Sequence, residues 1–319
     1  MATTNSSVIG NREDLKQLAT IIAAENYPLK SLMPKEPVHN KRPVVLLDEL
    51  ASPSATGHIE GNKTDTGVDK FPSLGEYTGQ AQRLVREWAV TKEQESEKSA
   101  VPVDAASASE KALRELGRDC ELVIAGDQDK TADVPGTTAG VTAGLGALIN
   151  NTAPTGLTSG FETPTASIYS GTKADFDEEA FNALLISMFG IGGDVKSWYG
   201  VFGTTLRSQI VKEFTRNAGT SSKVDYNLEG IGTIPWSVEE YDSYVGNVKI
   251  MNGNPACMPS SDRGYILDPQ YVSVGEVYGE GSEEYEGRGA GRLGAVDVRF
   301  TTLTRGPKGL AKIAFSDEA

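Results

Sequence analysis

Hydrophobic positions along this chain follow a helical period in the middle and an alternating one towards the end. The clearest helical stretch is SASEKALRELGRDCELVIAGDQD, residues 107–129, where Leu113, Leu116, Cys120 and Val123 recur at 3, 4 and 3 residues and mark one face. Ser107 followed by Glu110 makes a capping box, and Gly126 is a natural stop. Lys111, Arg114, Glu115, Arg118 and Asp119 fill much of the remaining surface. Gly117 weakens the middle by roughly 1 kcal/mol relative to alanine. At about 1.5 Å per residue the rod spans roughly 30 Å, a domain diameter. Apolar on one side only, it needs a broad surface to lie on, and a sheet supplies one.

Other elements follow from the same patterning. Residues 11–25 predict a short helix, with Leu15, Leu18, Ile21 and Ile22 on one face and Asn11 as N-cap. In the next segment, YPLKSLMPKEPVH, the prolines break regular structure. An apolar run at Val44–Leu47 then gives way to a long polar, glycine-rich stretch before pattern resumes through Tyr77, Leu84, Val85 and Trp88. Two arms joined by a polar tip predict a long hairpin, and loops of that length are usually functional. Further helices are predicted at 175–189, with a glycine stop at Gly190, and from Thr204 or Thr205, pairing Leu206, Ile210, Val211 and Phe214. Between them IGGDVKSWYGVFG reads as a turn and a short buried strand. After residue 224 strands take over: GNVKIMNGNP ends in an Asn-Gly turn, and Val296, Val298 and Phe300 alternate with Asp297 and Arg299. EGSEEYEGRGAGRLG is a second polar excursion. Helices in the middle with strands around them, without regular βαβ alternation, predict an α+β fold.

Composition narrows the function. A hydrophobic content of 38% is enough for a core. No apolar run approaches the ~18 residues of a membrane span, and the start carries no basic-then-apolar secretory pattern. The sequons at Asn5, Asn62 and Asn150 therefore carry no weight. Cys120 and Cys257 are too few for a disulfide framework and fit a reducing setting, with Cys120 a small core residue. With a net charge of −14 the chain as a whole is not expected to grip DNA, since a nucleic-acid reader normally shows an excess of lysine and arginine. Residues 1–42 nevertheless carry six bases against four acids, so this arm is +2 and the remainder −16.

Catalytic and ligand motifs fail one after another. The GxGxxG at Gly289, Gly291 and Gly294 precedes a strand rather than opening a helix, as a dinucleotide fingerprint must. No phosphate-binding Walker sequence occurs. His39 and His58 lie in proline- or glycine-rich segments, poor supports for a catalytic triad, and two histidines with two distant cysteines do not make a zinc site. Asp127, Asp129 and Asp133 begin like a calcium loop, but Thr131 and Ala132 stand where the next ligand and the glycine belong. No catalytic residue, cofactor or metal is expected. The acids Glu280, Glu283, Glu284 and Glu286 with Arg288 and Arg292 read either as a solvated hairpin tip or as a charge-paired contact with another copy.

The order of these parts resembles a tailed-bacteriophage major capsid protein of the Hong Kong 97 fold. ELGRDCELVIAGDQ (115–128) is similar to the close of that family's spine helix, AGLGALINNT (143–152) to the segment after it, and GRLGAVDVRFTTLTRGPKGLAKI to its closing strands. The resemblance implies an N-terminal arm over 1–40 and an extended loop over 41–90 lying on a neighbouring subunit. It implies a peripheral domain from 91–135 and 266–304, with the spine helix at 107–126, and an axial domain from 136–265 and 305–319. It further implies self-assembly into hexamers and pentamers of an icosahedral head around packaged double-stranded DNA. Expected partners are the chain itself, a separate scaffolding protein (no lysine- and glutamate-rich prosegment precedes the arm), a portal and, as a further candidate, a decoration protein. Neither membrane attachment nor sequence-specific nucleic-acid binding is expected, and the protein would be a virion component made in the cytoplasm of a bacterial host. Candidate inter-subunit contacts are Glu60, Lys63, Asp65 and Lys70 in the loop and Glu280, Glu283, Glu284, Glu286, Arg288 and Arg292 in the late hairpin. The alternatives are an encapsulin-like compartment on the same fold, an intracellular α+β enzyme using acids and a glycine-rich loop, and a monomeric decoration or fibre protein, which would lack the long helix.

Overall fold

The computed structural model describes residues 27–50, 53, 55, 60, 74–96, 104–192, 196–216, 240–285 and 291–316. In chain order the elements are α1 (Pro28–Leu32), β1 (Lys35–Pro37), β2 (Val44–Leu47), β3 (Gly75–Thr78), β4 (Gln82–Thr91), α2 (Lys92–Ser96), α3 (Ala105–Ala125), α4 (Leu145–Leu148), β5 (Ile168–Tyr169), α5 (Glu178–Gly192), β6 (Lys196–Phe202), α6 (Thr204–Arg216), β7 (Glu240–Ser243), β8 (Gly246–Asn252), β9 (Arg263–Leu267), β10 (Val272–Tyr285), β11 (Gly291–Thr304) and β12 (Ala311–Ala314). The fold is α+β. The helix predicted at 11–25 and the tip of the first hairpin fall outside the described residues.

Three strand assemblies organise the chain. A four-stranded sheet runs β1-β10-β11-β4, a six-stranded sheet runs β5-β12-β9-β6-β8-β7, and β2 pairs with β3 in a separate ribbon. The long helix α3 lies across one face of the four-stranded sheet. Leu116, Cys120 and Ile124 from the helix meet Trp88, Val296, Val298 and Phe300 from the strands, so helix period and strand alternation converge on one core. Helices α5 and α6 cover the six-stranded sheet, burying Phe181, Leu184, Leu185, Leu206 and Ile210 against Trp198, Val248, Ile250 and Ile266. A third, smaller core joins the ribbon to the rest through Leu47, Tyr77, Leu148, Phe161 and Leu303.

The long helix departs from expectation at its start and on its face. Its N-cap is Asp104, not Ser107; Asp104 accepts the Ser107 N–H at 2.9 Å, and the Ser107 hydroxyl accepts the Asp104 N–H at 3.3 Å. Ser107 is therefore the third residue of a capping box that opens three residues earlier. The buried row is Ala112, Leu116, Cys120 and Ile124, while Leu113 is 40% exposed and Val123 half-buried. This is the four-residue ridge of a helix, inclined to the axis, and it is the ridge that fits the surface beneath. Alanine at 112 lets the helix lie close, which a search for large apolar residues passes over. Gly126 ends the helix as predicted.

Smaller differences have plain causes. The 27–39 segment is not irregular: Pro28 takes the first position of α1, where its missing N–H costs nothing, and Pro37 lies in an edge strand. The helix α5 runs through Gly190 to Gly192. Strand β8 ends at Asn252, but the chain does not reverse into a hairpin there; the Gly253 N–H donates to the Phe202 carbonyl, and the next strand pairs with β6. The late polar excursion is largely strand. β10 and β11 stay paired out to Tyr285 and Leu293, and they look polar because residues 278–285 of β10 are solvent-exposed.

Candidate assembly surfaces

Three places in the fold stand out. At the first, the segment that begins at Tyr27 is fastened to the long helix. The Tyr27 ring lies over Gly117, where an added Cβ would come within 3.3 Å of two ring atoms, and the Tyr27 hydroxyl donates to the Arg114 carbonyl at 3.0 Å. Gly117 thus marks a seat rather than a bend. One turn on, Glu121 is buried and accepts the Leu29 and Lys30 N–H groups at 3.0 and 2.9 Å. The short α1 has no side-chain cap of its own, so a carboxylate from another helix caps it. Burial pushes the Glu121 carboxyl above its ordinary range, and the two backbone N–H groups pull the other way. Burial likewise pushes the Cys120 thiol up to about 12, which leaves it an inert core residue. Beyond α1 the chain joins the sheet: β1 runs parallel to β10, Lys35 pairs with Glu276, and Lys30 pairs with Glu280.

At the second, the β2–β3 ribbon stands on an inner face and leaves an outer one bare. Tyr77 is fully buried, and burial raises its phenol strongly. Cross-strand pairing places Leu46 opposite Glu76 and Val44 opposite Thr78, and the alignment continues with the Ala81 N–H on the Lys41 carbonyl. Val44 and Leu46 therefore share the outer face. Leu46 is 68% exposed, and Val44 and Leu74 are each about half exposed. Arg42 donates through Nε to the Gln80 side chain at 3.2 Å and has no ionic partner among the described residues.

At the third, the outer part of the four-stranded sheet carries α3 on one face only. On the other face Arg83 donates twice to Asp297, at 2.9 and 2.7 Å, and the Tyr278 hydroxyl joins at 3.0 Å. On the face that carries α3, nearer the tip, Arg292 clasps Glu284 at 2.6 and 2.9 Å.

The predicted contact residues thus separate. Glu280, Glu284 and Arg292 are held within the chain, Glu283 is exposed with no ionic partner among the described residues, and Glu60 is exposed. Lys63, Asp65, Lys70, Glu286 and Arg288 lie outside the described residues, as do His58 and Gly289. The other singled-out residues are accounted for structurally. Asp127 pairs with Arg263, Asp129 accepts the Thr155 hydroxyl at 2.5 Å, and Asp133 pairs with Lys41, so these acids point to three different neighbours. Gly291 and Gly294 lie inside β11, with the Trp88 ring over Gly294. His39 is exposed, Cys257 is buried, and among the described residues no group of three or more His, Cys, Asp or Glu could hold a metal ion. Tyr27 and Glu121 were missed. Glu121 could have been found as an acid four residues after Gly117, on the helix flank that also bears the apolar row.

The two large sheets meet at the end of α3. The Tyr265 hydroxyl donates to the Ala125 carbonyl at 2.6 Å, Gly144 and Gly146 pack against the Gly126 carbonyl where a side chain would collide, and Lys312 donates to the Gly146 carbonyl at 2.8 Å. Burial lowers the Lys312 ammonium to about 8, with Arg263 adding to the effect.

Comparison with known proteins supplies the context. A family model described as SU10 major capsid protein matches residues 2–315. No curated protein matches the sequence. Among solved structures, the capsid of cyanophage P-SCSP1u superposes with a TM-score of 0.64 at 10% identity, covering 100% of this chain and 96% of that one. A chain of Mycobacterium phage Adephagia gives 0.62 at 12% identity, covering 100% of both. The virus-like particle from Pyrococcus furiosus gives 0.50 at 12% identity, covering 89% of this chain and 91% of that one.

Proposed function

The chain belongs to the SU10 major capsid protein family, and from that premise we propose how its parts divide the work of building a shell. It is a structural protein of a tailed phage rather than an enzyme, and its copies form the icosahedral capsid. In our reading residues 1–40 are an arm, 41–90 an extended loop laid on a neighbour, 91–135 and 266–304 a peripheral domain stiffened by α3, and 136–265 with 305–319 an axial domain around the symmetry axes. Hexamers and pentamers close the shell around packaged double-stranded DNA. A separate scaffolding protein and a portal act in assembly, a decoration protein is a further candidate partner, and the subunit is made in the host cytoplasm before entering the virion.

The observation that carries the loop assignment is the bare ribbon. Val44, Leu46 and Leu74 are exposed together, and Leu50 just beyond is 99% exposed. Contiguous exposed apolar surface marks a contact site, and in a self-assembling subunit the natural cover is another copy. The acidic balance of the chain also limits adhesion of the inner shell to the genome.

Light scattering and electron microscopy of the purified chain test the reading. Capsomers or shells are expected, and a chain that stays monomeric under every condition would refute it. Deleting residues 52–70 is expected to leave a soluble fold and abolish assembly; normal shells from that deletion would refute the loop assignment.

A further inference from the structure

The base of the β2–β3 ribbon borders a cleft of about 520 Å³, lined by Asn40, Lys41, Arg42, Gln80, Asp133 and Pro135. One wall is the bend at residues 40–42. It is tied to the chain just after β3 by the Gly79 and Ala81 N–H groups, which donate to the Pro43 and Lys41 carbonyls at 2.8 Å each. The other wall belongs to a short finger, residues 131–141, in which Thr131 pairs with Val141 and Val134 with Thr138 around Gly136 at φ 75°. Lys41 bridges the two walls by pairing with Asp133 at 3.1 Å.

Donors are in excess there. Gln80 is only 2% exposed; its Oε1 accepts Arg42 Nε at 3.2 Å, and its Nε2 makes one contact, at 3.4 Å, with the Ala81 carbonyl. A primary amide carries two N–H donors, so one of them is unused among the described residues. Gly140 makes room for this amide, since a Cβ there would stand 2.6 Å from Nε2. Arg42 is held through Nε, and its two terminal nitrogens, Nη1 and Nη2, have no partner among the described residues. Its charge is felt nearby: burial lowers the Lys130 ammonium below its ordinary value, Asp129 opposes this, and Arg42 adds to it. In a chain of net charge −14, the walls of this cleft carry Lys41 and Arg42 against the single acid Asp133.

We propose that this cleft binds a small tetrahedral oxyanion of the phosphate class, held by the two terminal nitrogens of Arg42 and the unused Gln80 N–H, with Lys41 beside it. A guanidinium anchored at Nε presents its remaining N–H groups as a fork, which suits two oxygens of one anion. Gln80 adds a donor from a separate segment of chain, and donors from separate segments suit a tetrahedral anion better than a flat carboxylate. Binding neutralises the Arg42 charge and ties the bend before β2 to the buried amide behind it, so the ribbon leaves the body from a stiffer base. The site lies within one chain and does not depend on how copies assemble.

Isothermal titration of the full chain, dialysed free of phosphate, with inorganic phosphate tests it. Saturable binding of one phosphate per chain is expected, and sodium chloride at matched ionic strength should give none. Arg42→Ala removes two charge-assisted hydrogen bonds from an exposed position, so it is expected to weaken binding about 10- to 100-fold while the circular-dichroism spectrum stays unchanged. Gln80→Glu keeps the shape of the side chain but places a carboxylate against Arg42, and it should abolish binding. Heat that rises with phosphate without saturating, or the same affinity in the wild type and Arg42→Ala, would overturn the site. Acetate that displaces phosphate at equal concentration would overturn the choice of a tetrahedral anion.

Discussion

Gly117→Ala sets two effects of similar size against each other, and the structure says which residue decides between them. Alanine in a helix interior is favoured over glycine by about 1 kcal/mol. Against that, the new Cβ would sit 3.3 Å from two atoms of the Tyr27 ring, so the ring must shift by a few tenths of an ångström. The ring is held by the 3.0 Å bond from its hydroxyl to the Arg114 carbonyl, a bond worth about 0.5–1.5 kcal/mol. The gain and the loss nearly cancel, and the melting temperature of the unassembled subunit should move by no more than ~2 °C at this size. In a Tyr27→Ala background nothing opposes the helix term, and the same substitution should then stabilise by its full value of about 1 kcal/mol. The assay is a double-mutant cycle on thermal or urea unfolding, with hydrogen exchange at the Leu29 and Lys30 amides as a local readout. Faster exchange there in Gly117→Ala alone is expected, since α1 loosens where the ring is displaced. Equal stabilisation in both backgrounds would refute the seat and return Gly117 to an unexplained weak point.

Other expectations follow from the same core. Leu116→Ala should cost about 2–5 kcal/mol through a cavity under the long helix, whereas Leu113→Ala, on the exposed flank, should cost less than ~1 kcal/mol; urea midpoints would separate them. Glu121→Ala leaves the α1 amides without their acceptor, so limited proteolysis around α1 should accelerate while the six-stranded sheet stays protected. Lys312 has its folded value lowered from 10.5 to about 8, so the unfolded chain holds more protons between those values. This residue's contribution to stability should therefore rise with pH from about 8 to 10.5, and Lys312→Met should flatten that rise in a series of urea melts.

How much could be read from the sequence differs by element, for physical reasons. The long helix was legible in its extent at the C-terminal end because Gly126 and a run of strong helix formers are local facts. Its buried row was misplaced because burial depends on what lies underneath: Ala112 is in the core for its smallness, and Leu113 is outside despite its size. The late hairpin shows in the sequence only as a polar excursion, because alternation disappears where a strand is exposed on both faces, as residues 278–285 of β10 are. The order of parts identified the family, since order survives when side chains have diverged, and the search for catalytic motifs failed for the good reason that the chain is a shell component.

The sequence alone determined what is local and compositional: the α+β class, the helix with its glycine stop, the inert Cys120, the acidic balance, and a succession of parts that belongs to a capsid subunit. What pairs across distance is set by the three-dimensional arrangement. Glu280 and Arg292 look alike in sequence as free surface charges, yet one is held by Lys30 some 250 residues away and the other by Glu284 across a strand. Glu87, Glu283 and Arg42 look no different from them and are left without ionic partners among the described residues. That distinction arises from strand register and from which face of a sheet is already covered, which no window of sequence contains.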